Sequence, residues 1–116
     1  MKRLLPSDSF TSQETMALRE LIYVLRDLLG DRLIKFALYG SRARGDYDPE
    51  SDIDIAIIVS GLTRELKNQI LDKVVEIEFK YLSPLSTLIL SEEDFNLLKK
   101  RERRIALDIE KEGIPL

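Results

Sequence analysis

Two aspartates spaced by two, Asp52 and Asp54, follow a glycine-serine pair, Gly40-Ser41, by twelve residues. Each feature suits a different part of one kind of chemistry. Gly40 lets the backbone turn sharply and approach a ligand without a Cβ in the way. Ser41 adds a hydroxyl, and the amides that follow can face phosphate oxygens as they do at helix N-termini. Arg42 and Arg44 bring two guanidinium groups beside that turn, a donor geometry suited to phosphate. Asp52 and Asp54, two apart on a strand, project from the same face. Carboxylates that close repel unless a cation sits between them. A hard divalent cation such as Mg²⁺ takes one or two protein carboxylates and completes its shell with water and substrate phosphates. A phosphate turn and a carboxylate pair joined by a short loop therefore suit a nucleoside triphosphate with its Mg²⁺, and metal-assisted transfer of a nucleotidyl group. A lone Gly-Ser is usually a plain turn and a lone Asp-x-Asp a solvated strand entry; their joint occurrence carries the reading.

The whole segment, GSRARGDYDPESDID, resembles the signature of the minimal nucleotidyltransferases of the DNA polymerase β superfamily: Gly-Ser, ten residues, then Asp-x-Asp. The internal Ala43-Arg44-Gly45 and the Ser51 before the first aspartate match as well, and the ending Glu112-Gly113-Ile114 resembles that family's common terminus. The resemblance implies a small mixed sheet flanked by helices. It implies that Gly40 and Ser41 contact the triphosphate, and that Asp52 and Asp54 bind the metal and carry catalysis. It further implies transfer of AMP from ATP to a hydroxyl. Minimal members often act beside a helical HEPN-domain partner, as the antitoxin of a toxin–antitoxin pair, some by adenylylating a toxin tyrosine.

One element of the pattern is missing. Such enzymes usually carry a third acid on the next strand, completing the second metal site and helping to deprotonate the attacking hydroxyl. Here that strand reads Ser83-Pro84-Leu85-Ser86-Thr87-Leu88-Ile89-Leu90, and the expected position falls at Ser86 or Thr87. Glu76 or Glu78, on the preceding helix, are the nearby carboxylates that could substitute. Two functions follow: a nucleotidyltransferase, or a catalytically weak or inactive nucleotide-binding module that acts by docking to a partner protein.

The elements that must position these residues are legible from periodicity and breakers. Residues 1–10 read as an arm, and residues 11–116 as a single domain. Thr11 with Glu14 forms a capping box. Leu18, Leu21, Ile22, Leu25, Leu28 and Leu29 then make one helical stripe, which Gly30 ends. Leu33 to Tyr39 is a short apolar strand. Residues 42–51 hold Gly45, Asp46, Asp48 and Pro49 and form a turn or loop. Asp52 to Val59 is the next strand, apolar on both faces after its aspartates and therefore central. Thr63 caps a helix running to about Lys80. Pro84 opens a third strand through Leu90. Ser91 with Asp94 opens a last helix that runs to about Glu112 and stops at Gly113. The expected fold is α+β, a small mixed sheet flanked by helices in the order α-β-turn-β-α-β-α.

Composition bounds the alternatives. The chain of 116 residues is 44% hydrophobic and 34% charged, with a net charge of −3. That is ample for a core and gives no global attraction to nucleic acid or anionic membrane. It has no cysteine and no histidine. Disulfides, thiolate metal sites and imidazole bases are excluded, so any chemistry rests on carboxylates, hydroxyls, Lys, Arg, Tyr or a hard metal. Neither a signal-peptide core nor a membrane-length apolar run is visible, and the expected compartment is the cytosol. The basic run from Lys99 to Arg104 reads as a solvated helix face. Tyr39 reads as core and Tyr47 as a loop residue or a base-stacking ring. The apolar stripes are core or subunit interface and leave room for a homodimer.

Overall fold

The computed structural model describes residues 10–40, 52–112 and 114–115. Of the expected N-terminal arm, residues 1–9 lie outside that set, while Phe10 packs against the core. Helix α1 spans Ser12–Leu29. Its first turn carries the capping box: Thr11 Oγ1 accepts from the Glu14 amide, and the Glu14 carboxylate accepts from the Thr11 amide. Gly30, at φ 55°, ends it and begins a single 3-10 turn, Gly30–Arg32. Strand β1 follows at Leu33–Tyr39 and β2 at Ile53–Val59. Helix α2, Arg64–Tyr81, is capped by Thr63, whose Oγ1 accepts from the Leu66 amide. Strand β3 covers Leu85–Ser91.

The sheet order is β3-β2-β1-β4, so β2 is interior, as its two apolar faces require. β1 and β2 run antiparallel, while β2 and β3 run parallel with α2 as their crossover. Alternation divides the sheet's side chains into two cores. Ile53, Ile55, Ile57 and Val59 of β2 face α1 and α2 in the larger cluster. Ala56 and Ile58 face the other way, onto Phe95, Ala106 and Ile109. The first layer is clamped by Glu20 of α1, which accepts from Lys80 Nζ at 2.7 Å and Tyr81 Oη at 2.8 Å of α2. The hydrogen bonds from Lys80 and Tyr81 hold the Glu20 carboxyl below its ordinary value.

The C-terminal region departs from expectation. In place of one helix from Ser91 to Glu112 there are two, α3 at Glu92–Lys100 and α4 at Arg104–Glu112, followed by a short strand β4, Ile114–Pro115. β4 pairs antiparallel with β1 at Ala37 and Leu38. The interruption is a Schellman turn without glycine. Glu102 sits in the left-handed region at φ 54°, the Arg103 amide donates to Leu98 O, and the Glu102 amide donates to Lys99 O. A continuous helix would align Phe95, Leu98, Glu102, Ala106 and Ile109 on one stripe. That would press the Glu102 carboxylate against the sheet. Breaking the helix there leaves Glu102 exposed and lets Phe95, Ala106 and Ile109 all bury. The basic run thus straddles the break: Lys99 and Lys100 end α3, residues 101–103 form the turn and Arg104 opens α4. Within it Lys99 pairs with Glu110 at 2.6 Å, and Lys35 of β1 reaches the same carboxylate at 3.9 Å. Among the described residues no helix is long and apolar enough to cross a membrane.

A left-handed non-glycine residue costs about 1–2 kcal/mol. Glu102→Gly is therefore expected to stabilise the protein by about 1 kcal/mol, raising the urea midpoint at unchanged slope.

Candidate functional site

The site forms where β1 ends and β2 begins, at one end of the sheet. Tyr39, the last residue of β1, is directly across from Asp54 in the β1–β2 register. Ser86 of β3 is directly across from Asp54 on the other side. Directly paired residues share a face, so Tyr39, Asp54 and Ser86 form one row on the side covered by α3 and α4. Asp52, exposed, immediately precedes β2 and continues the two-residue period of that face.

Gly40 closes the arrangement. It turns the chain out of β1 at φ 80°, a conformation in which a side chain is strained. A Cβ built there would lie 2.5 Å from Oδ2 of Asp54. The glycine thus does two things: it allows the turn, and it leaves the volume that the Asp54 carboxylate fills. The sequence pointed to Gly40 as a place where a ligand approaches the backbone; within the chain, the group that needs the room is the carboxylate of Asp54.

Tyr39 has more to do with the site than a core assignment suggested. Its ring packs against the second cluster. Partial burial, and after it the negative charge of Asp54, push its phenol above the ordinary tyrosine value, so it stays a neutral hydroxyl beside the carboxylate. Its position was readable in principle, because an antiparallel return places the last residue of one strand opposite the first turn of the next.

Ser86 and Thr87 are separated by the same alternation. Ser86 shares the face of Asp54 and is exposed, whereas Thr87 is in register with Ile55 and faces α1 and α2. The hydroxyl at the third-acid position is therefore that of Ser86. Neither glutamate of α2 substitutes. Glu78 Oε2 accepts from the Leu85 amide at 2.9 Å, on the opposite layer from Asp54, and Glu76 lies 3.9 Å from Lys73. Among the described residues no cluster of three or more Asp, Glu, His or Cys side chains could hold a metal. Ser41, Arg42 and Arg44, the remaining expected phosphate contacts, and Tyr47 lie outside the described residues.

The donor set fits a hard divalent cation: two carboxylates at the mouth of the sheet, one seated in the volume that glycine leaves. Asp52 and Asp54 would hold such an ion, leaving its other positions to phosphate and water. When bound, it would neutralise charge on the phosphates.

Residues 18–114 match the family model of the nucleotidyltransferase domain, a stretch that contains Gly40, Asp52 and Asp54. The chain belongs to that family. Two similar proteins of Methanocaldococcus jannaschii each bear the name "putative protein adenylyltransferase". One is 36% identical over 83 residues, 72% of this chain and 79% of the relative. The other is 39% identical over 62 residues, 53% of this chain and 60% of the relative. The crystal structure of a "putative nucleotidyltransferase" from Sulfolobus solfataricus overlays with a TM-score of 0.47 at 21% identity, covering 91% of this chain and 86% of that one.

The contact between Gly40 and Asp54 can be measured as a coupling. Gly40→Ala is expected to cost about 1–2 kcal/mol for the backbone conformation, plus the displacement of the carboxylate. In an Asp54→Ala background the second part disappears. A double-mutant cycle in urea should therefore show a coupling of about 0.5 kcal/mol or more, and an additive cycle would place the Asp54 carboxylate elsewhere.

Proposed function

We propose that this protein uses ATP with Mg²⁺ to transfer AMP to a hydroxyl of a protein acceptor, with a helical HEPN-type toxin as its partner and the protein itself as the antitoxin. The observation that carries the reading is the seating of Asp54 against Gly40. It joins the end of the phosphate turn to the metal-binding strand, as a triphosphate bridging the two requires. Membership of the nucleotidyltransferase family supports the reaction type. The names of the two M. jannaschii relatives support a protein acceptor, and the sequence resemblance supports the partner.

In this reading Asp52 and Asp54 hold Mg²⁺, while Gly40, Ser41, Arg42 and Arg44 bind the triphosphate. In-line attack by the acceptor oxygen on the α-phosphorus forms the new P–O bond. The α–β bridge bond breaks, pyrophosphate leaves, and the acceptor proton passes to water or a nearby base. Tyr39, held neutral, can donate to Asp54 or to a phosphate oxygen without adding negative charge.

A second reading, nucleotide binding without transfer, is favoured by one observation. Ser86 stands beside Asp54 where an acid would complete the nucleophile-activating metal site, and a neutral hydroxyl is a poor metal ligand and a poor base at neutral pH.

Two experiments divide these readings. With α-labelled ATP, Mg²⁺ and the co-purified partner, the wild-type protein is expected to label the partner. Asp52→Ala with Asp54→Ala should abolish labelling and weaken Mg-ATP binding by more than about tenfold. An unlabelled partner leaves only the binding reading, and unchanged affinity removes that one as well. The second experiment supplies the missing acid. Ser86→Asp is expected to raise the transfer rate by about tenfold or more, while Thr87→Asp, facing the core, should not. A rate unchanged by Ser86→Asp would show that this position does not limit the chemistry.

A further inference from the structure

The two edges of the sheet are built differently. At the β1–β4 end of the sheet, three features discourage strand addition. There is a bulge between Leu33 and Lys35, the charged Lys35 itself, and Pro115 in a partner strand of only two residues. The opposite edge, β3, has none of them. Its seven residues, Leu-Ser-Thr-Leu-Ile-Leu-Ser, include no charge, no proline and no glycine, and β3 pairs with β2 in unbroken register. Among the described residues no strand pairs with its outer side.

An apolar stripe lies next to this unguarded edge. On α2, Leu71, Val75 and Phe79 are 37%, 46% and 76% exposed, and Leu82, just past the helix, is 80% exposed. At 100° per residue Leu71, Val75 and Phe79 fall on one face, nearly opposite the Lys80–Tyr81 side that grips Glu20 of α1, and Leu82 follows at the helix end. α1 packs over β1 and α2 over β3, so the stripe overhangs the β3 edge. Leu82 is also held at φ 51°, an unfavourable conformation for a leucine, and is 80% exposed.

We infer that β3 and the α2 stripe together form a twofold interface with a second copy of this chain. A neutral strand is complementary to itself. Antiparallel pairing about Leu88 would set Leu88 against its own copy, Thr87 against Ile89 and Ser86 against Leu90, bringing no like charges together. The same twofold runs the two α2 helices antiparallel along one side of the joined sheet, where their stripes meet. A strip about 25 Å long and two layers deep removes on the order of 600 Å² per partner, just below the roughly 800 Å² of a standard interface. An interface of that size suits a reversible dimer, populated at concentrations on the order of 100 µM. The two Asp54 sites then lie on one face at opposite ends of an extended sheet, each open to nucleotide. The inference is independent of whether the site catalyses transfer.

Light scattering at about 100 µM is expected to give twice the 13.4 kDa mass of one chain, and a single-chain mass overturns the inference. Val75→Lys with Phe79→Lys, both exposed, should raise the dimer dissociation constant by about tenfold or more and leave Mg-ATP affinity unchanged. Backbone amides of β3 should exchange more slowly as concentration rises while those of α1 do not. A dimer that survives the double substitution, with β3 exchange insensitive to concentration, would lie on another face and overturn the assignment.

Discussion

The antiparallel return of β2 along β1 is the constraint on which the site depends. Because Tyr39 is paired with Asp54, the next residue, Gly40, must leave the sheet where the Asp54 carboxylate projects. Only a residue without Cβ can occupy that point, both for its φ and for the space the carboxylate takes. The turn at Gly40, proposed to lead into a phosphate-binding segment, and the aspartate proposed to hold metal are thus coupled sterically. Shifting the register by one residue would turn Asp54 into the larger core and Ile53 or Ile55 out of it.

That register is secured by burial. Ile53, Ile55, Ile57 and Val59 are fully buried under α1 and α2, and Ala56 and Ile58 are fully buried under α3 and α4. A strand with two buried faces has no alternative register that keeps both dry. Asp54 is tolerated in it because it lies at the strand's open end. Tyr39, beside it, remains neutral and so adds no second negative charge to that of Asp54.

The break between α3 and α4 serves the same sheet. One straight helix would cover one diagonal of the second face and place Glu102 against it. Two shorter helices put Phe95 over β2 and β3, and Ala106 and Ile109 over β1, closing the layer beneath Asp54. The turn also lets the chain come back as β4 and guard the outer edge of β1, while among the described residues no strand covers β3 at the other edge.

Much of this was legible in the residues. Thr11, Thr63 and Ser91 marked three helix starts through cap chemistry that acts within four residues, and β1 ran from Leu33 to Tyr39 as its apolar pattern required. Gly-Ser followed by Asp-x-Asp pointed to the nucleotidyltransferase family because those residue types act together on phosphate and metal. The break at Glu102 was hidden, since no glycine announces it and its cause is the sheet surface a continuous helix would have met. β4 was hidden because two residues ending in proline carry no strand signal of their own. The choice between Ser86 and Thr87 as neighbour of Asp54 needed the β2–β3 register, which long-range pairing sets. What sequence by itself determined was local: caps, periodicity and the residues able to meet a phosphate or a metal. What only the tertiary structure decided was adjacency: that Asp54 fills the space Gly40 leaves, that Tyr39 and Ser86 flank it, and that β3 is an edge strand among the described residues. Those relations depend on which faces are buried together, and burial is a property of the packed chain as a whole.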